Sequence, residues 1–472
     1  MKRTGCFLSL TMGAFLTLTG CSTMAPKYAR PEAPVPAAWP TGPAYQAAAA
    51  QPGDMAIADV TWQEFFVDPQ LRKVIALALE GNRDLRIAAL NIERSQALYR
   101  IQRSELFPAL NGNANAAYQR VPAGLSASGR SATAHSYALN VGISAYELDL
   151  FGRVRSLKDQ ALDQYLATEQ ARRSVQITLV AEVANNYLTL AADRERLRIA
   201  RETLSAQESS YQLTKQRFDI GVVSALDLSQ AQTIVDAARV DIGRFVGQVA
   251  QDLNALQLVV GAPVPAELLP GGLAPVTALK DISPGVPSEV LQRRPDILQA
   301  EHQLRGANAN IGAARAAFFP RITLTSAIGL SSSQLSGLFS GGAGAWSFLP
   351  QISVPIFNAG ANRANLKVAE VEREIFLADY ERSIQVAFRE VADALAQYGT
   401  LGDQLAAQQS LVDATARSHR LSDARYRGGV ESYLAVLDAQ RSLYAAQQNL
   451  VTLRFSRQAN LVTLYKVLGG GA

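Results

Sequence analysis

Residues 183–218 have the sequence VANNYLTLAADRERLRIARETLSAQESSYQLTKQRF, and the spacing of its apolar side chains decides the fold. An apolar or aromatic side chain recurs at every seventh position, at Val183, Leu190, Leu197, Leu204, Tyr211 and Phe218. A strict seven-residue period sustained over this length is typical of coiled-coil helices. It predicts one helix from about residue 154 to 218, roughly 100 Å long at ~1.5 Å per residue.

The same pattern returns 208 residues further along the chain. The matching heptad positions are Val391, Tyr398, Leu405, Val412, His419 and Tyr426. The segments after the two helices also correspond, because RFDIGV at 217–222 matches RYRGGV at 425–430. An earlier Phe-Pro pair at 107–108 matches the pair at 319–320 with an offset of 212. Two copies of about 200 residues indicate an internal duplication.

The duplication and the Pro-rich stretches set the predicted segments. In chain order these are a signal peptide at 1–20, a lipidated extended arm at 21–60, repeat 1 at 61–261, a linker at 262–287 and repeat 2 at 288–472. Each repeat should open with one helix, near 69–106 and 288–318. Strands are predicted at about 109–121, 135–148, 321–331 and 345–357, and antiparallel helical hairpins at 154–260 and 360–468.

The predicted strands alternate apolar and polar residues, as a sheet with one apolar face requires. In 345–357 the apolar set is Trp346, Phe348, Ile352, Val354 and Ile356. Four strands cannot close a barrel, and an open sheet edge cannot face lipid. If the strands lie in a membrane, several chains must share one barrel, and three chains would supply about twelve strands.

The N-terminus resembles a bacterial lipoprotein signal. Lys2 and Arg3 precede a short apolar stretch. The tripeptide Leu-Thr-Gly stands directly before Cys21. This pattern predicts export, cleavage before Cys21 and acylation of that residue. Ser22, rather than Asp, follows the cysteine, which favours sorting to the outer membrane. The alternative is an ordinary signal peptide with an incidental cysteine.

The composition gives little indication of catalytic activity or of nucleic-acid binding. The formal net charge is only +4, and basic and acidic residues are interspersed, so no nucleic-acid footprint is predicted. The three histidines, His135, His302 and His419, lie in different predicted elements. We find no catalytic constellation, expect no metal site and no cofactor, and predict that the protein is not an enzyme.

Several motifs together resemble the outer membrane factor (TolC-like) family and, within it, the lipoprotein efflux subgroup. They are ELDLFGR at 147–153, RRPDI at 293–297, IGAARAAFFP at 311–320 and RYRGGV at 425–430. The resemblance covers nearly the whole chain after Cys21. It implies a mainly α fold with transmembrane β, in which a homotrimer forms a twelve-stranded outer-membrane β-barrel on a periplasmic α-helical coiled-coil barrel.

The resemblance also implies function and partners. It predicts the outer-membrane channel of a tripartite efflux system, lipid-anchored in the outer membrane of a Gram-negative bacterium. The channel would export drugs or other small toxic compounds passively. Its partners would be a periplasmic adaptor (membrane fusion) protein, an inner-membrane pump of the resistance-nodulation-division type and outer-membrane lipid.

By the same resemblance, the periplasmic gate should lie between Tyr426 and Arg441. Leu434 and Asp438 are four residues apart and therefore share one helical face, and Arg441 is three residues further on. A ring of leucines would seal by dewetting, an aspartate ring would favour cations, and Arg441 could hold Asp438 in place. From spacing alone, Asp438 and Arg441 could equally be a solvated surface pair.

Repeat 1 has uncharged residues at the corresponding positions, so we expect the gate in the second hairpin. The counterparts of Leu434, Asp438 and Arg441 are Leu226, Gln230 and Thr233.

The hairpin turns have both a structural and a functional interpretation. Glycine permits the left-handed backbone that ends a helix, and the resemblance implies that the same turns dock the adaptor. The turn residues are Gly221 and Val222 in repeat 1 and Gly428, Gly429 and Val430 in repeat 2.

Other functions remain open at this stage. A protein-secretion exit duct would share this plan. A structural coiled-coil envelope lipoprotein would explain the helices and Cys21, but it leaves the alternating runs unexplained. A copper or silver exporter is disfavoured, because only Met24 and Met55 follow the signal peptide.

Overall fold

A computed structural model describes residues 23–45, 60–126, 129–273 and 288–470. The predicted signal peptide, Cys21 and the second half of the predicted linker lie outside the described residues. Within the described ranges, no helix combines the length and the apolar character that crossing a bilayer requires.

The two repeats have the same order of elements. Repeat 1 comprises α1 (Trp62–Phe65), α2 (Pro69–Gly81), α3 (Arg83–Ser104), β1 (Leu110–Val121), β2 (Ala132–Leu148), α4 (Arg153–Asp219) and α5 (Ala225–Val260). Repeat 2 comprises α6 (Pro295–Ala316), β3 (Arg321–Ser332), β4 (Gly344–Ser353), α7 (Ala361–Arg427) and α8 (Tyr433–Val467). Short 3-10 turns occupy Pro43–Tyr45, Ala123–Leu125, Ala266–Leu268, Ser288–Arg293 and Leu335–Gly337.

The opening helices differ from their predicted bounds. In repeat 1 the single helix predicted near 69–106 is two helices, because Asn82 adopts an extended backbone between them. The Asn82 side chain accepts a hydrogen bond from the Leu85 amide at 2.9 Å and donates one to the Val259 carbonyl at 2.7 Å. In repeat 2 the α-helix begins only at Pro295, since a residue before proline is disfavoured in the α conformation.

The strand at the end of the sheet is also shorter than predicted. Strand β4 ends at Ser353, whereas the alternation suggested 345–357. Pro355 lies just beyond that end and has no amide hydrogen to donate to a ladder.

The four strands form one antiparallel sheet in the order β1-β2-β3-β4. The register pairs Leu139 with Leu330, and Ile328 with Trp346, so the apolar side chains of neighbouring strands share one face. That face carries Leu110, Tyr118, Tyr137, Leu139, Val141, Ile328, Leu330, Trp346, Phe348 and Ile352. The other face carries Asn111, Asn113, Asn115, Ser136, Asn140, Thr323, Thr325, Ser331, Ser347 and Gln351.

The chain divides into two compact units. The sheet unit comprises the described residues of Met1–Glu32, Asn91–Glu169 and Gln299–Tyr380. The hairpin unit comprises those of Ala33–Leu90, Gln170–Leu298 and Glu381–Ala472. Helices α4 and α7, each of 67 residues, contribute to both units.

In the sheet unit, the N-terminal arm is fixed by a buried carboxylate. Glu301 is 2% exposed and pairs with Arg30 of the arm and with Arg305. Tyr28 also donates its hydroxyl to Glu301, at 3.2 Å. These hydrogen bonds satisfy a carboxylate that would otherwise be costly to bury. A Cβ on Gly312 would lie 2.6 Å from the Ala25 backbone nitrogen, so the arm passes tightly over that glycine.

In the hairpin unit, the heptad seam forms the core of the long helices. Val183, Leu190 and Val391 are fully buried, whereas Phe218 at the far end of α4 is 38% exposed. Burial along the seam therefore decreases toward the hairpin turn.

In the hairpin unit the arm contacts repeat 2 again, where Trp39 stacks on Phe388 with ring centroids 5.0 Å apart.

The second tight passage of the arm is over Gly399 of α7. A Cβ on Gly399 would lie 2.1 Å from the Ala44 carbonyl oxygen. The counterparts of Gly312 and Gly399 in repeat 1 are Arg100 and Ala191, which would block the arm. The arm therefore fits repeat 2 only.

The contact of the arm with Gly399 predicts that a glycine-to-alanine substitution at this position lowers stability instead of raising it. In an exposed helix position the change normally stabilises by about 0.5–1 kcal/mol. We expect that gain for Gly402→Ala, because nothing lies within 4 Å of its added Cβ. We expect Gly399→Ala to lower the melting temperature and to speed proteolysis of the arm. Stabilisation by both variants would contradict the tight passage of the arm.

Candidate functional site

The two hairpin turns have the same hydrogen-bonding geometry. At the end of α4, the Val222 amide donates to the Arg217 carbonyl and the Gly221 amide to the Phe218 carbonyl, both at 2.8 Å. At the end of α7, Val430 donates to Arg425 and Gly429 to Tyr426, both at 3.0 Å. This pair of bonds is the Schellman motif, which requires a left-handed residue. Gly221 and Gly429 supply it, with φ of 77° and 72°.

The chain re-enters a helix differently after each turn. In repeat 1, Ser224 and Asp227 form a capping box, with the Asp227 amide 3.2 Å from the Ser224 hydroxyl oxygen. In repeat 2 the residue matching Asp227 is Ala435, and Ser432 makes no side-chain cap. An ion pair between Arg425 and Glu431, at 2.9 Å, spans the second turn instead. Repeat 2 therefore lacks a cap that typically contributes about 1 kcal/mol.

Behind the turns, a hydrophobic cluster joins the two hairpins. Its buried members come from α5 and α8, and Tyr211 of α4 and Tyr426 of α7 pack against them. The buried residues are Ala231, Ile234, Tyr433, Val436 and Leu437. All four long helices therefore meet in this tip cluster.

Tyr426 is held by two aromatic contacts within the tip cluster. Its ring lies 5.1 Å from the Tyr433 ring, and the Arg217 guanidinium sits 5.2 Å above it. Cation–π contacts of this kind contribute about 0.5–1 kcal/mol at exposed sites. Since Arg217 belongs to α4 and Tyr426 to α7, this contact ties the repeat 1 hairpin to the repeat 2 hairpin.

The other three predicted gate residues lie on α8, on the face that points away from the tip cluster. Leu434 is 58% exposed, and Asp438 and Arg441 are also exposed, whereas Val436 and Leu437 are buried. Within the described residues, neither Asp438 nor Arg441 has an ion-pair partner at 4 Å or less. The expected hold of Arg441 on Asp438 is therefore not present within one chain. The structure places Leu434, Asp438 and Arg441 on one open face.

The turns themselves expose apolar side chains. Val222 is 67% and Val430 70% exposed, and Ile220 beside the first turn is 74% exposed. A contiguous patch of exposed apolar residues often marks a contact surface. Gly221, Gly428 and Gly429 lie in the same two turns and are exposed.

Two residues of the tip were not predicted from sequence. Arg217 is part of the repeated RFDIGV motif, but only the fold brings it over Tyr426. Tyr433 replaces the Ala225 of repeat 1, and this difference between the repeats was a usable signal. Among the residues that the structure describes, no group of three or more metal-ligating side chains comes together.

Comparison with known proteins identifies the family. Residues 74–262 and 286–470 match the family model described as outer membrane efflux protein. The chain belongs to this family of outer-membrane channels, which are components of transport systems. The predicted family and the predicted mainly α fold with strands are both confirmed.

Relatives over nearly the full length carry efflux names. The chain is 51% identical to the antibiotic efflux pump outer membrane protein ArpC of Pseudomonas putida, over 98% of this chain and 95% of that protein. It is 50% identical, with the same coverage, to the toluene efflux pump outer membrane protein TtgC, also of Pseudomonas putida. The open-state structure of the MtrE outer membrane channel of Neisseria gonorrhoeae has a TM-score of 0.86 and 37% identity, covering 95% of this chain and 98% of that one.

The turn geometry predicts that two neighbouring glycines differ in tolerance. Gly429→Ala places an alanine at φ 72° and should cost about 1–2 kcal/mol locally, which would speed hydrogen exchange in peptides covering the second turn. Gly428→Ala is the matched control, because the nearest atoms to its added Cβ are at an ordinary 3.5 Å. Equal exchange in the two variants would contradict the assigned turn.

Proposed function

We propose that this chain is the outer-membrane channel of a tripartite efflux system and exports antibiotics, organic solvents or other small toxic compounds. The observation that carries this is the family membership together with full-length relatives named for antibiotic and toluene efflux. Helical hairpins and an amphipathic sheet are suited to forming a passage, and no catalytic step is needed. Outer-membrane location follows from the same relatives.

The working unit that we propose is a homotrimer. Among the described residues, strands β1 and β4 each have one edge without a strand partner, and long open edges must be paired or covered. Trp346 and Ile328 on the apolar face are 79% and 71% exposed, which suits contact with lipid. Pairing of β4 with β1 of the next protomer would close about twelve strands, with the Asn- and Ser-rich face inside.

Exposed apolar residues on two helices support the same assembly. On α3, Ile87, Leu90, Leu98 and Ile101 are more than half exposed. On α7, Val368 and Ile375 are each 55% exposed. Their spacings of three, seven and eight residues place them along helix faces, as a helical subunit interface requires. Neighbouring protomers would cover these faces.

The anchor that we propose is a lipid on Cys21, with Cys6 removed in the signal peptide. The arm that follows is fixed in the sheet unit by Arg30 and Tyr28 on Glu301, so a lipid at Cys21 would hold a defined point of each protomer at the membrane. More than one acyl chain is needed for stable anchoring. The mass of the N-terminal peptide from purified protein checks this assignment, and an unmodified Cys21 would refute it.

The gate that we propose uses the open face of α8. Three-fold symmetry would bring three copies each of Leu434, Asp438 and Arg441 around one axis, with the Arg441 of one protomer free to pair outside its own chain. Opening would require the repeat 2 hairpin to move against repeat 1, which breaks the contact of Tyr426 with Arg217. The absence of a side-chain cap at Ser432 makes the second hairpin the easier one to move.

The exposed turns are the docking site that we propose for the periplasmic adaptor, which in turn connects to an inner-membrane pump of the resistance-nodulation-division type. Val222 and Val430 offer apolar contacts that a helical hairpin partner can cover. Gly221, Gly428 and Gly429 keep the two turns narrow.

A deletion strain tests the proposed function. We expect the chain, expressed with its adaptor and pump, to restore antibiotic and toluene resistance to a strain that lacks its outer-membrane efflux channel. Cysteines at Val222 or Val430 should crosslink to the adaptor, whereas a cysteine at the buried Ala238 of the same hairpin should not. Full-level, correctly localised protein that restores no resistance would refute an efflux role.

Single-channel recording tests the gate. We expect Asp438→Ala to increase conductance at least about twofold and to reduce cation preference, because three carboxylates leave the narrowest part of the passage. The matched control is Gln230→Ala at the corresponding position in repeat 1, which should leave both quantities unchanged. If the two variants behave alike, the gate does not lie at Asp438.

A further inference from the structure

Two carboxyl groups are buried together in the repeat 1 hairpin. Asp193 of α4 is 4% exposed and Asp252 of α5 is 7% exposed. Buried carboxylates are rare unless each is paired, since removing the charge from water costs several kcal/mol per ion. The hairpin therefore holds an arrangement that requires a specific explanation.

The partners of the two carboxyls are unequal. Asp193 forms an ion pair with Arg196, one turn along the same helix. Asp252 accepts one hydrogen bond, from the Gln248 side-chain amide to its Oδ1 at 3.0 Å. Its Oδ2 is buried and has no hydrogen-bond partner in the described structure. The guanidinium of Arg196 is thus the positive charge for two carboxyls. The Oδ2 atom of Asp252 remains available to bind a proton.

Among the residues that the structure describes, Arg196 is the one positive charge found to act on Asp252. Asp193 and Arg196 of α4 are the charged groups that act on Asp252. Helix α8 contributes Thr452, whose uncharged hydroxyl oxygen accepts from Arg196 at 2.9 Å. The pKa of Asp252 is raised to about 6, chiefly because the carboxyl is buried and in addition because Asp193 lies near it, against the lowering effects of the Gln248 hydrogen bond and of Arg196.

The duplication supplies an internal comparison. The residue of repeat 2 that matches Asp252 is Asn460, and the residue that matches Asp193 is Leu401. Asn460 is 3% exposed and donates to the Ala394 carbonyl and to Gln397, both at 3.1 Å. The same buried position thus holds a neutral amide in one repeat and an ionisable carboxyl in the other.

We infer that Asp193 and Asp252 form a proton-binding site, and that each protomer holds one shared proton there in acid. A protonated Asp252 donates to Asp193, which leaves one carboxylate balanced by Arg196. When the proton leaves, one buried negative charge has no partner. Because Arg196 also contacts Thr452 of α8, the uncompensated charge weakens packing where the two hairpins meet.

The sign of the pH dependence follows from the raised pKa. A carboxyl whose pKa is higher in the folded state than in the unfolded state favours folding when protonated. The stabilisation is fully present below the unfolded value of about 4 and is lost as pH rises through about 6. Mild acid should therefore tighten the repeat 1 hairpin, and neutral pH should loosen it.

Thermal unfolding of the purified full-length protein at about pH 5 and about pH 7.5 tests the inference. We expect a higher melting temperature in acid for the wild type, and a gap between the two pH values that shrinks by on the order of 2 °C in Asp252→Asn. Asp236→Asn removes an exposed carboxyl from the same helix and should keep the wild-type gap. Asn460→Asp should widen it, because repeat 2 then acquires a buried carboxyl.

Infrared difference spectroscopy between the same two pH values reads the proton directly and does not depend on the stability of a variant. We expect the wild type to show a protonated, buried carboxyl in acid, and Asp252→Asn to lack it. A wild type without that signal would overturn the proton site, as would an unchanged pH gap in Asp252→Asn. Either failure leaves the proposed export function intact, because neither measurement uses transport.

Discussion

The seven-residue apolar seam of the long helices is the constraint on which the rest of the structure depends. It runs along α4 and α7, which are 67 residues long each, and it buries Val183, Leu190 and Val391 completely. A different or interrupted period would change how the helices supercoil around one another. In each repeat a strand comes before one of these helices and a glycine turn comes after it.

The sequence predicted most of the features that depend on a periodic pattern or on a single turn. The long helices, the two glycine turns and the apolar face of the sheet follow from spacings of seven and two residues and from the backbone freedom of glycine. Contacts between distant segments could not be predicted. Asn82 divides the opening helix because it bonds to Val259, 177 residues away, and Arg217 meets Tyr426 only through folding. The buried environment of Asp252 likewise depends on Asp193 and Arg196 of another helix.

The two repeats share a backbone plan but differ in how firmly they are held. Repeat 1 has the capping box at Ser224, whereas repeat 2 has a turn bridged by the Arg425–Glu431 ion pair. Only repeat 2 has the glycines that admit the arm, at 312 and 399. The repeat that receives the arm is thus also the repeat whose tip carries Asp438 and Arg441. Duplication followed by local change would allow one protomer to provide a fixed hairpin and the movable one that we propose as the gate.

The distances between hairpin tips in the assembled channel test this division of roles most directly. Spin labels at Val222 report on the repeat 1 tips, and labels at Val430 report on the repeat 2 tips. Pulsed electron paramagnetic resonance measures the distances between equivalent labels on different protomers. Comparison of the wild type with Asp438→Ala should show the Val430 distances lengthening while the Val222 distances stay the same. Equal lengthening of both sets, or movement of the Val222 set alone, would contradict a gate carried by the second hairpin.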